Sequence, residues 1–127
     1  MLKKMTPNLI VDDVNATIEW YQNVLGCFEI VLTDPEIGKY DWAMMACEDV
    51  EIMFQSKESI KRSIEKFDCS EKGCTAVMYI EMEYLKGFRN RVKDKVDIIK
   101  DLHTTSYGIQ ELAIKDCNGY MLVFAEG

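Results

Sequence analysis

The order of apolar and polar positions in the first half of the chain predicts a strand, a helix and three further strands. Residues 6–11 form the first strand, which ends at two aspartates that can cap the following helix. Apolar positions within residues 14–25 recur at spacings of four and three, and Gly26 ends this helix. The three strands that follow cover residues 27–33, 40–47 and 50–55.

The second half of the chain repeats this order. Residues 76–82 predict a strand, and Leu85, Phe88 and Val92 mark one face of a helix. The charged stretch 57–67 also has apolar residues at helical spacing and predicts a linker helix between the halves. The last three strands are expected at residues 96–102, 108–115 and 120–125.

The repeat predicts an α+β fold of two β-α-β-β-β modules. They form a curved mixed sheet around a cleft, with the helices outside, because neither module can bury a sheet face alone. We expect a single domain over residues 1–127, with module 1 at about 5–56, the linker helix at about 57–67 and module 2 at about 75–126. A cleft between sheets is a common place for a small ligand.

The composition limits the kinds of molecule that the protein is expected to bind. The 127 residues include 15 basic and 22 acidic side chains, a net charge of −7, which disfavours nucleic acid and suits a neutral or cationic small molecule. There is no apolar run long enough to cross a membrane and no secretion signal, so we expect a cytoplasmic protein. The odd number of cysteines then predicts reduced thiols, and the spacing of Cys69 and Cys74 is not that of a zinc site.

Two stretches carry a resemblance to a known family. Residues 9–14 and 16–26 are similar to an opening pattern V-x-D, then S-x-x-F-Y-x-x-x-L-G. Residues 107–108, 110–111 and 116–120 are similar to a closing pattern W-G, R-E-F and D-P-D-G-x, with a cysteine where proline is usual. The chain thus resembles the vicinal-oxygen-chelate superfamily, which includes glyoxalase I, bleomycin-resistance proteins and extradiol dioxygenases. The resemblance implies the paired-module fold and a homodimer, with the two modules arranged within one chain or exchanged between chains.

The resemblance also implies where a metal ion would bind. Metalloenzymes of the family use a His, a Glu, a second His and a second Glu in the first, fourth, fifth and eighth strands. At the corresponding positions this chain has one hydroxyl, one thioether and two isopropyl groups. A thioether is too soft for such an ion and an isopropyl group has no lone pair. Glu51, two residues from the fourth-strand position, lies on the same face and would serve only if the register slipped. We therefore expect no metal ion, no cofactor and no catalytic residue. The four positions correspond here to Thr6, Met53, Val77 and Val123.

Side chains that alternate with the buried ones are expected to line the cleft. They form an aromatic and thioether-rich wall with a few polar groups, which suits planar or cationic ligands. His103, the only histidine, is interpreted as a strand-end residue partly in solvent rather than as a base. The predicted ligand-binding residues are Tyr40, Trp42, Met44, Met53, Gln55, Tyr79, Tyr107 and Met121.

These observations favour a metal-free binding protein that sequesters an aromatic or cationic compound, as bleomycin-resistance proteins do in antibiotic resistance. The alternative is a divalent-metal-dependent lyase or isomerase of the glyoxalase I type, which requires a different register in at least two strands. A third hypothesis is a regulatory protein whose cleft is filled by its own side chains.

Overall fold

Each half of the chain forms its own four-stranded mixed sheet. The computed structural model describes residues 1–64 and 76–127. It divides into two compact units, unit 1 (residues 1–72) and unit 2 (residues 73–127). The elements are β1 (Asn8–Val11), α1 (Val14–Trp20), β2 (Glu29–Asp34), β3 (Trp42–Cys47), β4 (Val50–Ser56), α2 (Lys57–Ser63), β5 (Val77–Glu81), α3 (Leu85–Val92), β6 (Asp97–Thr104), β7 (Gln110–Lys115) and β8 (Met121–Glu126).

The two sheets have the same topology. In unit 1 the strand order is β1-β4-β3-β2, and in unit 2 it is β5-β8-β7-β6. The first strand of each unit pairs in parallel with the last, while the other neighbours are antiparallel. The predicted α+β class and the β-α-β-β-β order of both modules are confirmed.

The helix α1 begins where the sequence places its cap. The Ala16 N–H donates a hydrogen bond of 3.0 Å to the Asp13 carboxylate, which satisfies one of the free N–H groups of the first turn. After Trp20 the chain continues as a π-helical turn, Tyr21–Leu25, and it stops at Gly26, whose φ is 75°. A glycine adopts this left-handed backbone without steric cost.

The core of unit 1 lies between this helical segment and one face of its sheet. The Tyr21 ring is buried and contacts the rings of Phe28 and Phe54, with centroids 5.4 Å and 4.8 Å away. The core of unit 2 is built in the same way, since Phe88 of α3 lies 4.7 Å from Phe124 of β8. In both units, apolar residues at helical spacing meet alternate residues of the strands.

The helix α3 is capped by a distant residue. Its first residue is preceded by Tyr84, which has a left-handed φ of 59° and provides no side-chain cap. Instead, the carboxylate of Glu126 accepts hydrogen bonds from the backbone N–H groups of Tyr84 (3.0 Å) and Leu85 (3.1 Å). A carboxylate at this helix end also meets the positive end of the helix dipole. Glu126 therefore points toward the helix side of its sheet.

The strand boundaries differ from the prediction by up to two residues, and Tyr40 is affected most. The sequence predicts Tyr40 inside the third strand, but β3 begins at Trp42. The Tyr40 N–H donates to the Asn15 side chain (2.9 Å), and the Asn15 amide donates to the Gly38 carbonyl (3.0 Å). These bonds hold the loop before β3 to α1 and take the Tyr40 N–H out of sheet pairing.

The helices of the described chain are short. The predicted linker helix is present as α2, where the Ser56 hydroxyl accepts from the Ser59 N–H (3.1 Å). This helix ends at Ser63, and the part of the prediction over residues 65–67 falls outside the described residues. In the described ranges, no helix has the length and apolar character needed to cross a membrane.

The cysteines differ from the prediction. Cys27 and Cys47 form a disulfide with their Cα atoms 5.3 Å apart, so the expectation of reduced thiols is wrong for this pair. The reason is tertiary, because the turn after the helical segment and the end of β3 meet at this point. Cys117 lies exposed in the turn before β8. Cys69 and Cys74 fall outside the described residues.

Candidate functional site

Unit 1 has a sheet face that its helical segment does not cover, called open face 1 below. Along β3 and β4, buried residues alternate with partly exposed ones. The buried set includes Phe54, whose ring contacts Tyr21. Because successive side chains of a strand point to opposite faces, the partly exposed set lies on the other face. The predicted ligand-binding residues of this set are Trp42, Met44, Met53 and Gln55.

Two thioethers form the centre of open face 1. Met44 of β3 lies directly opposite Met53 of β4, and Leu32 of β2 lies opposite Met44. Trp42 lies opposite Gln55, one row further along the same strands. The sheet thus places a large indole ring beside a row of flexible apolar side chains. Such a surface adapts to the outline of a planar molecule.

The protein itself orients the Gln55 amide. Its oxygen accepts a hydrogen bond from the Asn8 amide (2.9 Å), and its nitrogen donates to the Ser59 hydroxyl (2.9 Å). Each end of the amide has one further hydrogen-bonding position. Gln55 therefore offers a ligand one donor and one acceptor in a direction fixed by its neighbours.

The side chains at the four family metal positions do not fit the divalent metal ion that the family's metalloenzymes use. The motif register puts a thioether in β4 and isopropyl groups in β5 and β8, and these groups do not bind hard or borderline divalent ions. Glu51, the alternative carboxylate in β4, is ion-paired with Lys4. The positions concerned are Thr6, Met53, Val77 and Val123.

Unit 2 has a corresponding face, called open face 2, opposite α3. Tyr79 of β5 is 54% exposed and Val77 is 47% exposed. Val77 lies beside Met121 of β8, and Tyr79 lies beside Val123. The predicted residues Tyr79 and Met121 therefore share one face of the sheet.

Open face 2 also carries a carboxylate that is hydrogen-bonded to one side chain and lies close to a second. The Tyr79 hydroxyl donates a hydrogen bond of 3.2 Å to Oε2 of Glu111. The other oxygen, Oε1, lies 3.7 Å from Nε2 of His103, and the Glu111 side chain is 15% exposed. Partial desolvation and the nearby Glu111 carboxylate raise the pKa of Tyr79 above its ordinary value of 10.0. The phenol thus keeps its proton at neutral pH and acts as a donor to Glu111.

The backbone defines the role of the His103 ring. Its Nδ1 lies 2.8 Å from the carbonyl oxygen of Asp101. A carbonyl oxygen can only accept a hydrogen bond, so Nδ1 carries a proton. When the ring is charged, Nε2 also carries one and can donate toward Glu111; when it is neutral, Nε2 turns a lone pair toward the carboxylate. The attraction between His103 and Glu111 therefore depends on protonation.

Tyr107 lies near this cluster in the loop between β6 and β7. It is 71% exposed, and its hydroxyl is close enough to add to the raised pKa of Tyr79. The Thr105 carbonyl accepts a bond of 3.0 Å from the Gly108 N–H, which closes the turn that carries Tyr107. The exposed phenol of this loop and the Tyr79–Glu111 pair are groups that can bind a cationic group through ring faces and charge.

Sequence reasoning missed Glu111 and His103 as members of a common cluster. Glu111 stands at the edge of the apolar run 112–114, and strand alternation applied to β7 would have placed it on the face opposite the buried Leu112 and Ile114. His103 could not be paired with it from sequence. The β6–β7 register shifts between Ile98 and Lys100 and again between Lys100 and His103, and such irregularities leave no clear pattern.

The comparisons with known proteins agree on the fold. The model of the Glyoxalase/Bleomycin resistance protein/Dioxygenase superfamily matches residues 5–124. This match spans nearly the whole chain, and the chain belongs to this superfamily. A search of curated proteins found no match.

Several solved structures share the fold at low identity. TioX from Micromonospora sp. ML1 is 18% identical with a TM-score of 0.77, over 98% of this chain and 96% of that one. A glyoxalase/bleomycin resistance protein/dioxygenase from Nocardioides is 13% identical with a TM-score of 0.78, over 99% and 85%. A glyoxalase-related enzyme from Fulvimarina pelagi is 11% identical with a TM-score of 0.78, over 99% and 89%. At these identities the likeness shows the fold.

Proposed function

We propose that this protein binds an aromatic or cationic small molecule on its open faces, with no metal ion at that site and no catalytic residue. One observation carries the proposal. In each unit, accessible aromatic and thioether side chains lie on the sheet face that the unit's own helix leaves uncovered. Large apolar groups in such positions do not pack in the core of their unit, and a ligand can bury them.

The two faces offer complementary contacts. Open face 1 supplies the Trp42 ring and the thioethers of Met44 and Met53, which favour stacking and close packing on a planar molecule. Open face 2 supplies phenol rings and the Glu111 carboxylate, which favour a positive charge. The net charge of −7 acts in the same direction by attracting cations. Tyr40, Gln55, Tyr79, Tyr107 and Met121 complete the proposed ligand-binding set.

The proposal extends to the setting in which the protein works. We infer a single-domain homodimer in the cytoplasm that sequesters its ligand, a mode of action that would serve antibiotic resistance. The family resemblance supports the dimer. The partners excluded by this proposal are nucleic acid, disfavoured by the acidic charge, and the membrane.

The two tryptophans provide a direct test. Trp20→Phe leaves Trp42 as the only indole, and Trp42→Phe leaves Trp20, which lies in α1. Both variants are titrated with planar cations, including bleomycin-type glycopeptides, and with neutral aromatic compounds. We expect saturable quenching with Trp20→Phe and its loss with Trp42→Phe. Equal quenching in both variants, or none across the panel, contradicts the proposal.

Metal analysis tests the metal-free part of the proposal separately. The protein is prepared as a variant in which all five cysteines are replaced by serine, so that thiolates cannot contribute, and is loaded with nickel, zinc, iron or manganese before dialysis. We expect ligand affinity to be unchanged by this treatment. A stoichiometric ion that survives dialysis and is needed for ligand binding would instead support the lyase or isomerase alternative.

A further inference from the structure

Three residues with metal-binding side chains meet at one corner of unit 1. They are not among the residues of the open faces. The sulfurs of Cys27 and Cys47 and a carboxylate oxygen of Glu48 all lie within 4.8 Å of one another. They are the one group of three such side chains this close together among residues 1–64 and 76–127. Cys27 and Glu48 are exposed and Cys47 is partly exposed, so solvent, a reductant and an ion can reach them.

The backbone holds two of these residues in unusual conformations. Cys27 has a φ of 61° and Glu48 a φ of 53°, left-handed values that side chains other than glycine, asparagine and aspartate seldom adopt. The Cys27 conformation is fixed by a three-residue turn in which the Phe28 N–H donates to the Gly26 carbonyl (2.6 Å). The Glu48 conformation belongs to the hairpin turn between β3 and β4. The disulfide joins the two sulfurs, and the turns place the Glu48 carboxylate beside them before any ion binds.

We propose that the reduced Cys27 and Cys47 thiolates, with the Glu48 carboxylate, form a surface site for Zn²⁺ or another thiophilic divalent ion. Thiolate and carboxylate oxygen are both ligands that Zn²⁺ accepts in tetrahedral geometry. Zn–S bonds of about 2.3 Å separate two sulfurs by about 3.8 Å. Rotation of the exposed Cys27 side chain provides this separation while the Cα atoms stay near their present 5.3 Å. Three protein ligands leave the fourth position to water.

Disulfide formation and metal binding exclude each other at this site. Reduction consumes two electrons and two protons from a dithiol reductant, whose first thiolate attacks one protein sulfur to give a mixed disulfide. This attack releases the other protein sulfur as a thiolate. The second thiol of the reductant then displaces the attacked protein sulfur, so that the reductant leaves as a disulfide and the protein, with the two protons, gains two thiols. Binding of the ion replaces the two S–H protons, which pass to solvent.

The site is separate from the proposed ligand surface. Cys47 alternates with Met44 and Ala46 along β3 and has the same parity as the buried Met45. Its sulfur therefore lies toward the helix side of the sheet, whereas the ligand is proposed to bind on open face 1. The two proposals can fail independently of each other.

Cobalt spectroscopy tests the site. A full-length chain with Cys69→Ser, Cys74→Ser and Cys117→Ser keeps only the cysteine pair of interest. This chain is reduced, exchanged into buffer without oxygen and titrated with Co²⁺, whose thiolate charge-transfer absorption reports direct sulfur ligation. We expect saturation at one ion per chain, displacement by Zn²⁺, and no absorption in the oxidised protein. A reduced, folded protein without this absorption overturns the proposal.

Matched variants test the ligands. Glu48→Gln removes the proposed carboxylate, and Asp49→Asn changes the neighbouring residue of the same turn. We expect Glu48→Gln to weaken Co²⁺ binding at least about tenfold and Asp49→Asn to leave it unchanged. Equal affinities for the two variants overturn the three-ligand site. Circular dichroism checks that each reduced variant is folded. We also expect Cys27→Ser to abolish the Co²⁺–thiolate absorption.

Discussion

The two units share one topology but are held together by different means. In unit 1 the helix cap is Asp13, a neighbour in sequence, and a disulfide joins the end of the helical segment to β3. In unit 2 the cap is Glu126, 41 residues beyond Leu85, and α3 is tied to β6 by the Arg89–Asp101 ion pair. The same β-α-β-β-β unit can therefore be stabilised by local signals or by contacts between distant residues.

The open faces also differ, one depending on a regular strand register and the other on an irregular one. Open face 1 is mostly apolar, and its pairs, such as Met44 with Met53, follow from a regular strand register. Open face 2 carries a polar cluster around Glu111 that depends on an irregular register between β6 and β7. Under the proposed function, we expect unit 1 to contact a ligand mainly through its shape and unit 2 mainly through its charge. The following predictions test how far the units differ.

The largest expected loss of unfolding free energy comes from changes in the two cores. We expect this loss to be similar in both units. Phe54→Ala and Phe124→Ala each remove a ring that packs on an aromatic residue of the helical layer. We expect each variant to lose about 3–5 kcal/mol of unfolding free energy, because a cavity replaces the ring. Urea unfolding measures both values. A loss below about 1 kcal/mol in either variant would contradict the described core of that unit.

The next effect should be confined to unit 1. Reduction of the Cys27–Cys47 disulfide opens a loop of 20 residues in sequence separation, and we expect a loss of about 3 kcal/mol. Unfolding with and without a reductant measures the difference. The Cys27→Ser/Cys47→Ser variant is the control and should not respond to the reductant. A wild-type protein that is equally indifferent would show that the disulfide adds no stability.

The helix caps should respond differently to removal of their charge. Asp13→Asn keeps a good capping side chain, so we expect a change below about 0.5 kcal/mol. Glu126→Gln replaces a carboxylate that accepts two backbone hydrogen bonds, so we expect a loss of about 1–2 kcal/mol. Chemical unfolding of both variants tests the contrast. Equal losses would mean that the distant cap behaves like the local one.

The smallest effect is a pH dependence in unit 2. The Arg89 guanidinium donates hydrogen bonds of 2.9 Å and 2.6 Å to Asp101 and lowers the pKa of that carboxyl from 3.8 to about 2. Because the folded-state pKa lies below the unfolded value, this pair stabilises the protein above about pH 4. Its contribution is lost as the pH falls from about 4 to 2.

Unfolding free energies of the wild type and of Asp101→Asn, measured between pH 7 and pH 2, test this dependence. We expect the difference between the two proteins to shrink as the pH falls through this range. Arg89→Lys keeps the charge but not the paired hydrogen bonds, and should give an intermediate slope. A difference that stays constant with pH would contradict the described ion pair.

The sequence by itself determined the order of the elements, the repeat and most of open face 1. These features rest on local periodicity, since a spacing of three and four or an alternation of two selects the buried face without knowledge of any partner. Trp42, Met44 and Met53 were predicted on one face for this reason, and the structure places them there.

Only the tertiary structure decided which distant residues meet. The Cys27–Cys47 disulfide, the Glu126 cap and the cluster of Glu111 with Tyr79 and His103 join segments whose own patterns say nothing of each other. The loop before β3 took Tyr40 out of its predicted strand by a bond to Asn15. Periodicity reports the environment of a side chain, whereas pairing depends on strand register and turn geometry, which the folded chain sets as a whole.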